Sequence, residues 1–406
     1  MGLANLLSIP FIYSSNNISI TDSNRLYFVR YSWSPSDERI FYLDKNLKPI
    51  EANLDVKLFP GLKEFLHTCL DCRDEIIASI DENVIQNLLT LDETRGPQSF
   101  AFGHYAVDIL PILYYLQLFQ KSIIKSLPPL LIYDICKWHE DLHSIFGIPL
   151  ASVFPLNSYR SLLDVKISGG KQILLYAANI KVISYNNTLI RTSFSNNLIL
   201  INQKEYSAPK TDVLFLLRKQ LGGRPVRWTN QQMYESLLNR NTEISSAIVD
   251  PARLMPSELV SYAKQTSIVV TPPGSSAYIP LHISRPNVFV VMPVSFKCNH
   301  ANTWDYTLKM FTHYSHKLIL VCNSDNAISP SSAAWDTPFN IEHNHLMNLV
   351  EKIISITKSK DFSFPTDRKY KQEYSALDLR CELHFESLSV SMPASFKNTI
   401  SALASS

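Results

Sequence analysis

Residues 267–277, Ser-Ile-Val-Val-Thr-Pro-Pro-Gly-Ser-Ser-Ala, form the stretch from which we predict the fold. The residues up to Val270 are rich in β-branched side chains and predict a buried strand, which the Pro-Pro-Gly turn at 272–274 ends. Ser275 and Ser276 follow as helix-capping residues. A strand, a tight turn and a helix N-terminus offer backbone N–H groups to a phosphate, although βα corners that bind nothing share this pattern.

Apolar runs and helical patterns alternate around this stretch. The runs are short, continuous and rich in β-branched residues, as expected for buried strands of a parallel sheet. The alternation therefore predicts a C-terminal Rossmann-like α/β domain over residues 209–357, in which ligands bind beyond the carboxyl ends of the strands. The runs lie at residues 213–217, 246–249, 267–270, 288–292 and 317–322.

The rest of the chain divides into three further predicted segments. Residues 96–208 again alternate between helix and strand patterns, which predicts an N-terminal Rossmann-like domain. Residues 1–95 predict a β-rich segment followed by helices at 62–89. Residues 358–406 form a polar tail that could pack back on the N-terminal domain. The predicted fold class is therefore α/β, with two Rossmann-like domains and a β-rich N-terminal segment.

The composition of the 406 residues limits the classes of function. A net charge of +2 provides no broad basic surface, so we expect no nucleic-acid partner. No apolar run approaches the ~20 residues that a membrane-spanning helix needs, and the apolar start lacks the basic region of a signal peptide. The six cysteines form no spaced framework, and the lone Cys69-x-x-Cys72 fits reduced thiols better than zinc. We expect a cytoplasmic protein, with any membrane contact peripheral.

The segment that begins at residue 100 contains a candidate general base. His104 and Asp108 have the spacing of residues that share one face of a helix. A carboxylate beside an imidazole fixes its tautomer and raises its basicity, as a general base requires. The alternative is that His104 caps the start of a helix and Asp108 packs against the next loop.

Basic residues gather where the predicted strand at 213–217 ends. Arg218 follows that strand directly, and Arg224 and Arg227 lie in the next loop. Because parallel strands end at one edge of their sheet, these guanidiniums and the Gly274-Ser275-Ser276 turn would face the same site. Together they could neutralise a diphosphate without a metal. The alternative is that the arginines form surface ion pairs.

The order of these motifs resembles glycosyltransferase family 61, which includes bacterial capsular-polysaccharide enzymes, plant xylosyl- and arabinosyltransferases and animal O-linked N-acetylglucosaminyltransferases. The resemblance covers about residues 100–322. The family's His-x-x-x-Asp-x-Leu-Pro block stands here at 104–111, and its Gly-Pro-His-Gly-Ala turn corresponds to 271–275. Thr271 replaces the first glycine of that turn, and Pro273 replaces its histidine. The family's strand ending in Arg, with further Arg and Asn, is matched by Arg218, Arg224, Arg227 and Asn230.

The resemblance implies a GT-B-like pair of Rossmann-like domains facing across a cleft, with the nucleotide-sugar donor in the C-terminal domain. It implies an inverting hexosyl- or pentosyltransferase that uses no metal or other cofactor, with a UDP-sugar as the favoured donor. The acceptor would be a hydroxyl of a glycan or glycolipid, as in polysaccharide biosynthesis. His104 would act as the base and Asp108 would orient it, or the two roles could be reversed.

The donor site implied by the resemblance lies at the carboxyl edge of the C-terminal sheet. Among the residues expected at this site, Glu258 could reach a ribose of the donor, but a glutamate is also common in the first turn of a helix. The replacement of the family's histidine by Pro273 leaves open a non-catalytic, glycosyltransferase-like binding protein. An unrelated epimerase or phosphate-ester hydrolase is less favoured, because the sequence lacks G-x-G-x-x-G and clustered metal carboxylates. The expected donor-binding residues are Arg218, Arg224, Arg227, Asn230, Glu258, Gly274, Ser275 and Ser276.

Overall fold

The structure is a computed structural model, and it divides the chain into two compact units, Met1–Ile190 and Arg191–Ser406. Both units contain helices and a sheet, so the protein belongs to the α/β class. The predicted tail at 358–406 lies outside the described residues, as do residues 304–314 and 342–356, for each of which the sequence pattern also predicts a helix. The structure describes residues 11–14, 18–22, 24–34, 37–50, 61–82, 85–91, 102–120, 127–167, 171–185, 208–217, 228, 230–240, 244–272, 289–295 and 317–323.

The described part of the first unit contains one mixed sheet and the helices that flank it. The helices are α1 (Leu62–Asp71), α2 (Arg73–Ala78), α3, which joins Phe102–His104, Tyr105–Ile109 and Leu110–Gln120, and α4 (Lys137–Phe146). The strands are β1 (Phe11–Ser14), β2 (Ile18–Thr21), β3 (Asn24–Ser34), β4 (Asp37–Leu43), β5 (Asn87–Leu91), β6 (Leu130–Ile132), β7 (Val153–Pro155), β8 (Leu163–Ile167) and β9 (Lys171–Tyr185).

Strand β9 is the centre of this sheet. It pairs antiparallel with β2, β3 and β8, and parallel with β5. Strand β4 extends the sheet beyond β3, and β1 extends it beyond β2. The parallel part has the order β7-β6-β5-β9, in which α3 connects β5 to β6 and α4 connects β6 to β7. The sheet of the first unit is therefore mixed, and a Rossmann-like N-terminal domain stays a prediction.

Both faces of this sheet are buried, and the alternation along β3 supplies side chains to each. Leu26 and Phe28 belong to the apolar cluster on one face. Tyr27 and Val29 belong to the cluster on the other face, which also contains Phe65 of α1. The strand is therefore apolar on both sides, in agreement with the β-rich segment predicted within residues 1–95.

Two strands of the first unit differ from their predictions. The helical pattern at 62–89 was expected to continue into the residues that form β5, but α2 ends at Ala78. Strand β9 extends over 15 residues, whereas its sequence predicts only 173–176. Because β2 and β3 pair with β9, the predicted 1–95 segment shares a sheet with the predicted 96–208 domain. The domain boundaries at 95/96, 208/209 and 357/358 themselves stay predictions.

The described part of the second unit forms a sheet in which every pairing is parallel. Its strand order is β11-β10-β12-β13-β14. All five predicted strands of this region are confirmed, as are the helices predicted between the first three. No described helix in either unit is long and apolar enough to cross a membrane. The elements are β10 (Thr211–Leu216), α5 (Gln231–Arg240), β11 (Ser246–Val249), α6 (Pro256–Lys264), β12 (Thr266–Val270), β13 (Phe289–Ser295) and β14 (Lys317–Asn323).

Candidate functional site

The sheet of the second unit reverses its winding between β10 and β12. The chain passes from β10 to β11 on one side and from β12 to β13 on the other. In open parallel sheets, ligands bind beyond the carboxyl ends of the two strands at such a switch point. The segment at 218–227 follows β10, and the segment at 273–276 follows β12. The topology therefore brings the starts of both predicted donor-binding segments to one place.

Most of the predicted donor-binding side chains lie outside the described residues, so their contacts stay predictions. They are Arg218, Arg224, Arg227, Gly274, Ser275 and Ser276. The residues just before the turn are described, and Thr271 and Pro272 are both buried. Val270 of β12 pairs with Phe215 of β10, so these two parallel strands end side by side at one edge of the sheet.

Both ends of the arginine-bearing segment 218–227 are fixed by the second unit. At its start, the Leu217 N–H donates to the Val249 carbonyl at 2.8 Å. At its end, Trp228 is 1% exposed and packs against Phe215 of β10 and Tyr234 of α5, with ring centroids 5.5 and 5.6 Å away. The two residues that flank the segment, Leu217 and Trp228, are thus both held in place next to β10.

Two predicted donor-binding residues are described, and each has a structural contact. The Asn230 Oδ1 accepts a hydrogen bond from the indole N–H of Trp228 at 2.7 Å. The Glu258 Oε2 accepts one from the Met255 N–H at 2.7 Å, at the start of α6. Asn230 therefore supports the anchor of the arginine-bearing segment, and Glu258 caps its helix, which is the alternative that the sequence offered. Contact of either residue with a nucleotide stays a prediction.

The predicted base lies on α3, which follows β5 in the first unit. His104 ends the short α-helical start of α3, and Asp108 lies in the π-helical turn Tyr105–Ile109 that follows. Both residues therefore lie on one continuous helix, while contact between their side chains stays a prediction. Helix α3 follows β5 in the chain, and π-helical turns within α-helices are frequent at functional sites.

No protein-family model matches this sequence, and no curated protein matches it significantly. The resemblance to glycosyltransferase family 61 therefore rests on the motifs within residues 100–322 and remains a prediction.

A buried series of hydrogen bonds between α3 and α4 was not predicted from the sequence. The Tyr105 hydroxyl donates to Nε2 of His143 on α4, and both side chains are buried. The opposite nitrogen, Nδ1, lies 3.2 Å from the Ile148 carbonyl oxygen and 3.3 Å from that of Pro149, so it carries the proton. Burial lowers the pKa of His143, although both carbonyl contacts act to raise it, and burial raises the pKa of Tyr105. The imidazole is therefore neutral and joins the π-helical turn to the end of α4.

Further aromatic rings pack around Tyr105, the first member of this hydrogen-bonded series. Trp138, in the first turn of α4, meets Phe102 edge-to-face at 5.2 Å and Tyr105 at 5.4 Å between ring centroids. It stacks on His139, whose Nδ1 accepts the Cys136 N–H at 2.9 Å. The N–H contact places the proton of a neutral His139 on Nε2. The cluster connects the first turns of the helices that follow β5 and β6.

Cys69 lies on α1 in the same apolar cluster as Phe65, and Cys72 is the capping residue between α1 and α2. Cys69 is fully buried, and burial raises the pKa of its thiol to about 12. A metal requires the thiolate, so this thiol is a poor zinc ligand. Within the described residues, no three His, Cys, Asp or Glu side chains group together as a metal site would require.

The neutral His143 predicts a pH dependence of stability. Because its folded pKa lies below its ordinary value of 6.5, the unfolded chain binds a proton first as the pH falls. The free energy of unfolding should therefore decrease below about pH 6.5, with a slope of up to about 1.4 kcal/mol per pH unit from this group. Urea unfolding at about pH 7.5 and about pH 5.5 measures the loss. His143→Gln should lose less over this interval, and equal losses in the two proteins would contradict the assignment.

Proposed function

We propose that the protein is an inverting, metal-independent glycosyltransferase. It moves a sugar from a nucleotide-sugar donor, with a UDP-sugar favoured, to a hydroxyl of a glycan or glycoconjugate acceptor. The observation that carries the proposal is that both candidate donor segments follow β10 and β12, the two strands at the switch point of the second unit's sheet. A GT-B-like arrangement, with the acceptor bound by the first unit, is part of the proposal.

The donor segments suit a leaving diphosphate. Arg218, Arg224 and Arg227 offer planar, bidentate donors to phosphate oxygens, and the 274–276 turn offers backbone N–H groups. As the bond between the anomeric carbon and the diphosphate oxygen breaks, negative charge grows on that oxygen. Fixed positive groups stabilise this charge in the transition state more than in the ground state.

The first unit supplies the base in this proposal. The acceptor oxygen attacks the anomeric carbon in line with the leaving group, and its proton passes to the base while the nucleoside diphosphate departs. His104 is the favoured base and Asp108 the residue that orients it. Support comes from their positions on one helix that begins beyond the carboxyl end of β5. The buried Tyr105–His143 pair fixes the same turn of α3.

A thermal-shift experiment tests the donor site. The full chain is heated with UDP, GDP, CDP, CMP and their sugars, with and without EDTA. One nucleotide class at about 100 times its Kd should add about 2.7 kcal/mol to the free energy of unfolding, whether or not EDTA is present. Arg224→Ala should abolish the shift.

Lys210→Ala is the matched control for the donor site. Lys210 is an exposed cation of the same unit that directly precedes β10, at the amino edge of the sheet and opposite the edge of the proposed donor site. Its removal should leave the nucleotide shift unchanged. The absence of any shift, or a shift that Arg224→Ala leaves intact, would contradict the proposed donor site.

A non-catalytic binding protein is the second candidate, because Pro273 stands where the resembled family has histidine. Such a protein would bind a glycan or a protein partner and would release no nucleoside diphosphate from any nucleotide sugar. Measurement of nucleoside diphosphate release with a panel of glycan acceptors separates the two candidates. Turnover with any donor excludes the binding-only function.

A further inference from the structure

Two half-buried aromatic rings lie where two neighbouring parallel strands of the first unit end. Phe102 begins α3 after β5, and Trp138 lies in the first turn of α4 after β6. Strands β5 and β6 are hydrogen-bonded neighbours, so both helices start at the same edge of the sheet. The ring centroids are 5.2 Å apart and the rings are inclined at 72°. This is the edge at which α/β sheets bind their ligands.

A buried layer holds Trp138 in place. Tyr105 lies edge-on to the indole at 78°, and His139 stacks on it with ring centroids 3.4 Å apart. Tyr105 is itself held by its hydrogen bond to His143, and His139 by the Cys136 N–H. Because the supporting groups are buried and hydrogen-bonded, the indole has a fixed orientation before any ligand arrives. Such preorganisation reduces the entropy lost on binding.

One carboxylate, Asp134, lies at the same edge as these rings, and a second, Asp108, lies further along α3. Asp134 lies between β6 and α4, is half-buried, and accepts the Ile135 N–H through Oδ1 at 2.8 Å. Asp108 is half-buried on α3, the helix that begins with Phe102. Carboxylate oxygens accept hydrogen bonds from hydroxyl groups, while aromatic rings cover apolar surface. The combination suits a ligand with hydroxyls at its rim and C–H groups on its face.

We propose that the indole face of Trp138 opposite His139 is a platform on which a pyranose ring of the acceptor stacks through its apolar C–H face, with Phe102 bordering the platform at its side. A pyranose has hydroxyls around its edge and several C–H groups on one face, and the electron-rich face of an indole attracts such C–H groups. The role of the sugar as acceptor rests on the proposed function, whereas the binding of the ring does not.

Saturation-transfer NMR on the full chain tests the platform. The probes are methyl β-D-galactopyranoside, methyl β-D-glucopyranoside and methyl α-D-mannopyranoside. For at least one of them, saturation should be strongest at the C–H protons of one ring face. Trp138→Leu keeps an apolar side chain but removes the indole, and should weaken binding about fivefold to tenfold. Trp138→Phe should restore most of the affinity, and Phe102→Leu should cause a smaller loss.

Tyr262→Leu is the control, because Tyr262 is a half-buried aromatic residue on α6 in the other unit. It should leave sugar binding unchanged. No saturation with any of the three glycosides, or a signal that Trp138→Leu leaves intact, would overturn the platform. A third outcome would also overturn the platform: UDP displaces the sugar from the wild type, and Trp138→Leu no longer binds UDP. The indole would then bind the nucleotide and not the sugar.

The thermal shift with nucleotides separates this inference from the proposed function. Trp138→Leu should retain the nucleotide shift of the wild type, since the donor segments belong to the second unit. Sugar binding through Trp138 without any nucleotide shift would refute the transferase and leave a glycan-binding platform. A nucleotide shift without sugar binding would refute the platform and leave the transferase.

Discussion

His104→Ala is expected to lower the rate of sugar transfer by about 10²- to 10⁴-fold, the usual contribution of a general base. The acceptor hydroxyl loses its proton during attack, and alanine cannot accept it. The donor segments lie in the other compact unit, so nucleotide affinity should stay at the wild-type value. Single-turnover kinetics gives the rate of transfer, and calorimetry with the nucleoside diphosphate gives the affinity.

His67→Ala is the matched control for this variant. His67 is an exposed histidine on α1 in the same unit, and its loss should not change the rate. Asp108→Asn should reduce the rate and move the pH–rate profile, because a carboxylate beside the imidazole favours its protonated form. Wild-type transfer by His104→Ala, with transfer lost in Asp108→Asn, would assign the base to Asp108.

The strands of the second unit could be predicted from the sequence because a buried parallel strand has a local signature. Residues 213–217 and 317–322 are continuous apolar runs, and the turn after Val270 marks the end of its strand. The helices α5 and α6 lie between such runs, so the alternation of elements was visible as well. The strand order β11-β10-β12-β13-β14 could not be predicted, because hydrogen-bonded neighbours in a parallel sheet are distant in sequence.

The first unit contains elements that depend on distant pairing. Ala177, Ala178 and Asn179 are poor strand formers, yet β9 continues through them because β3 pairs with this stretch and β5 begins to pair at Asn179. Leu88 and Leu89 extend a helical apolar pattern, but their parallel pairing with β9 makes them part of β5. Local propensity favours the wrong element in both cases, and tertiary contacts decide it.

In the candidate site too, local features could be predicted from the sequence and long-range contacts could not. His104 and Asp108 could be singled out because their spacing is local and their residue types carry acid–base chemistry. The Tyr105–His143 hydrogen bond could not be predicted, because 38 positions in the sequence separate the two residues. Each of them also has the pattern of an ordinary residue on the apolar face of a helix. The anchoring role of Trp228 was also hidden, since its partners come from β10 and α5.

Trp228→Ala is expected to destabilise the second unit by about 3–5 kcal/mol, as for other fully buried aromatic residues replaced by alanine. The indole packs against Phe215 and Tyr234, whose own rings lie 4.9 Å apart, so its removal leaves a cavity between β10 and α5. Hydrogen exchange followed by mass spectrometry reports each unit separately. Amides of β10 should exchange faster in the variant, while those of β5 in the first unit should not change.

The same variant tests whether the anchor matters to the donor site. Trp228 fixes the end of segment 218–227, so its loss should also reduce the nucleotide-dependent thermal shift. Trp228→Phe keeps a ring but loses the N–H that donates to Asn230, and should cost about 1–2 kcal/mol with most of the shift retained. If Trp228→Ala left β10 exchange at the wild-type rate, the aromatic cluster would not stabilise the sheet. If exchange rose but the nucleotide shift persisted, the arginines would hold the diphosphate without this anchor.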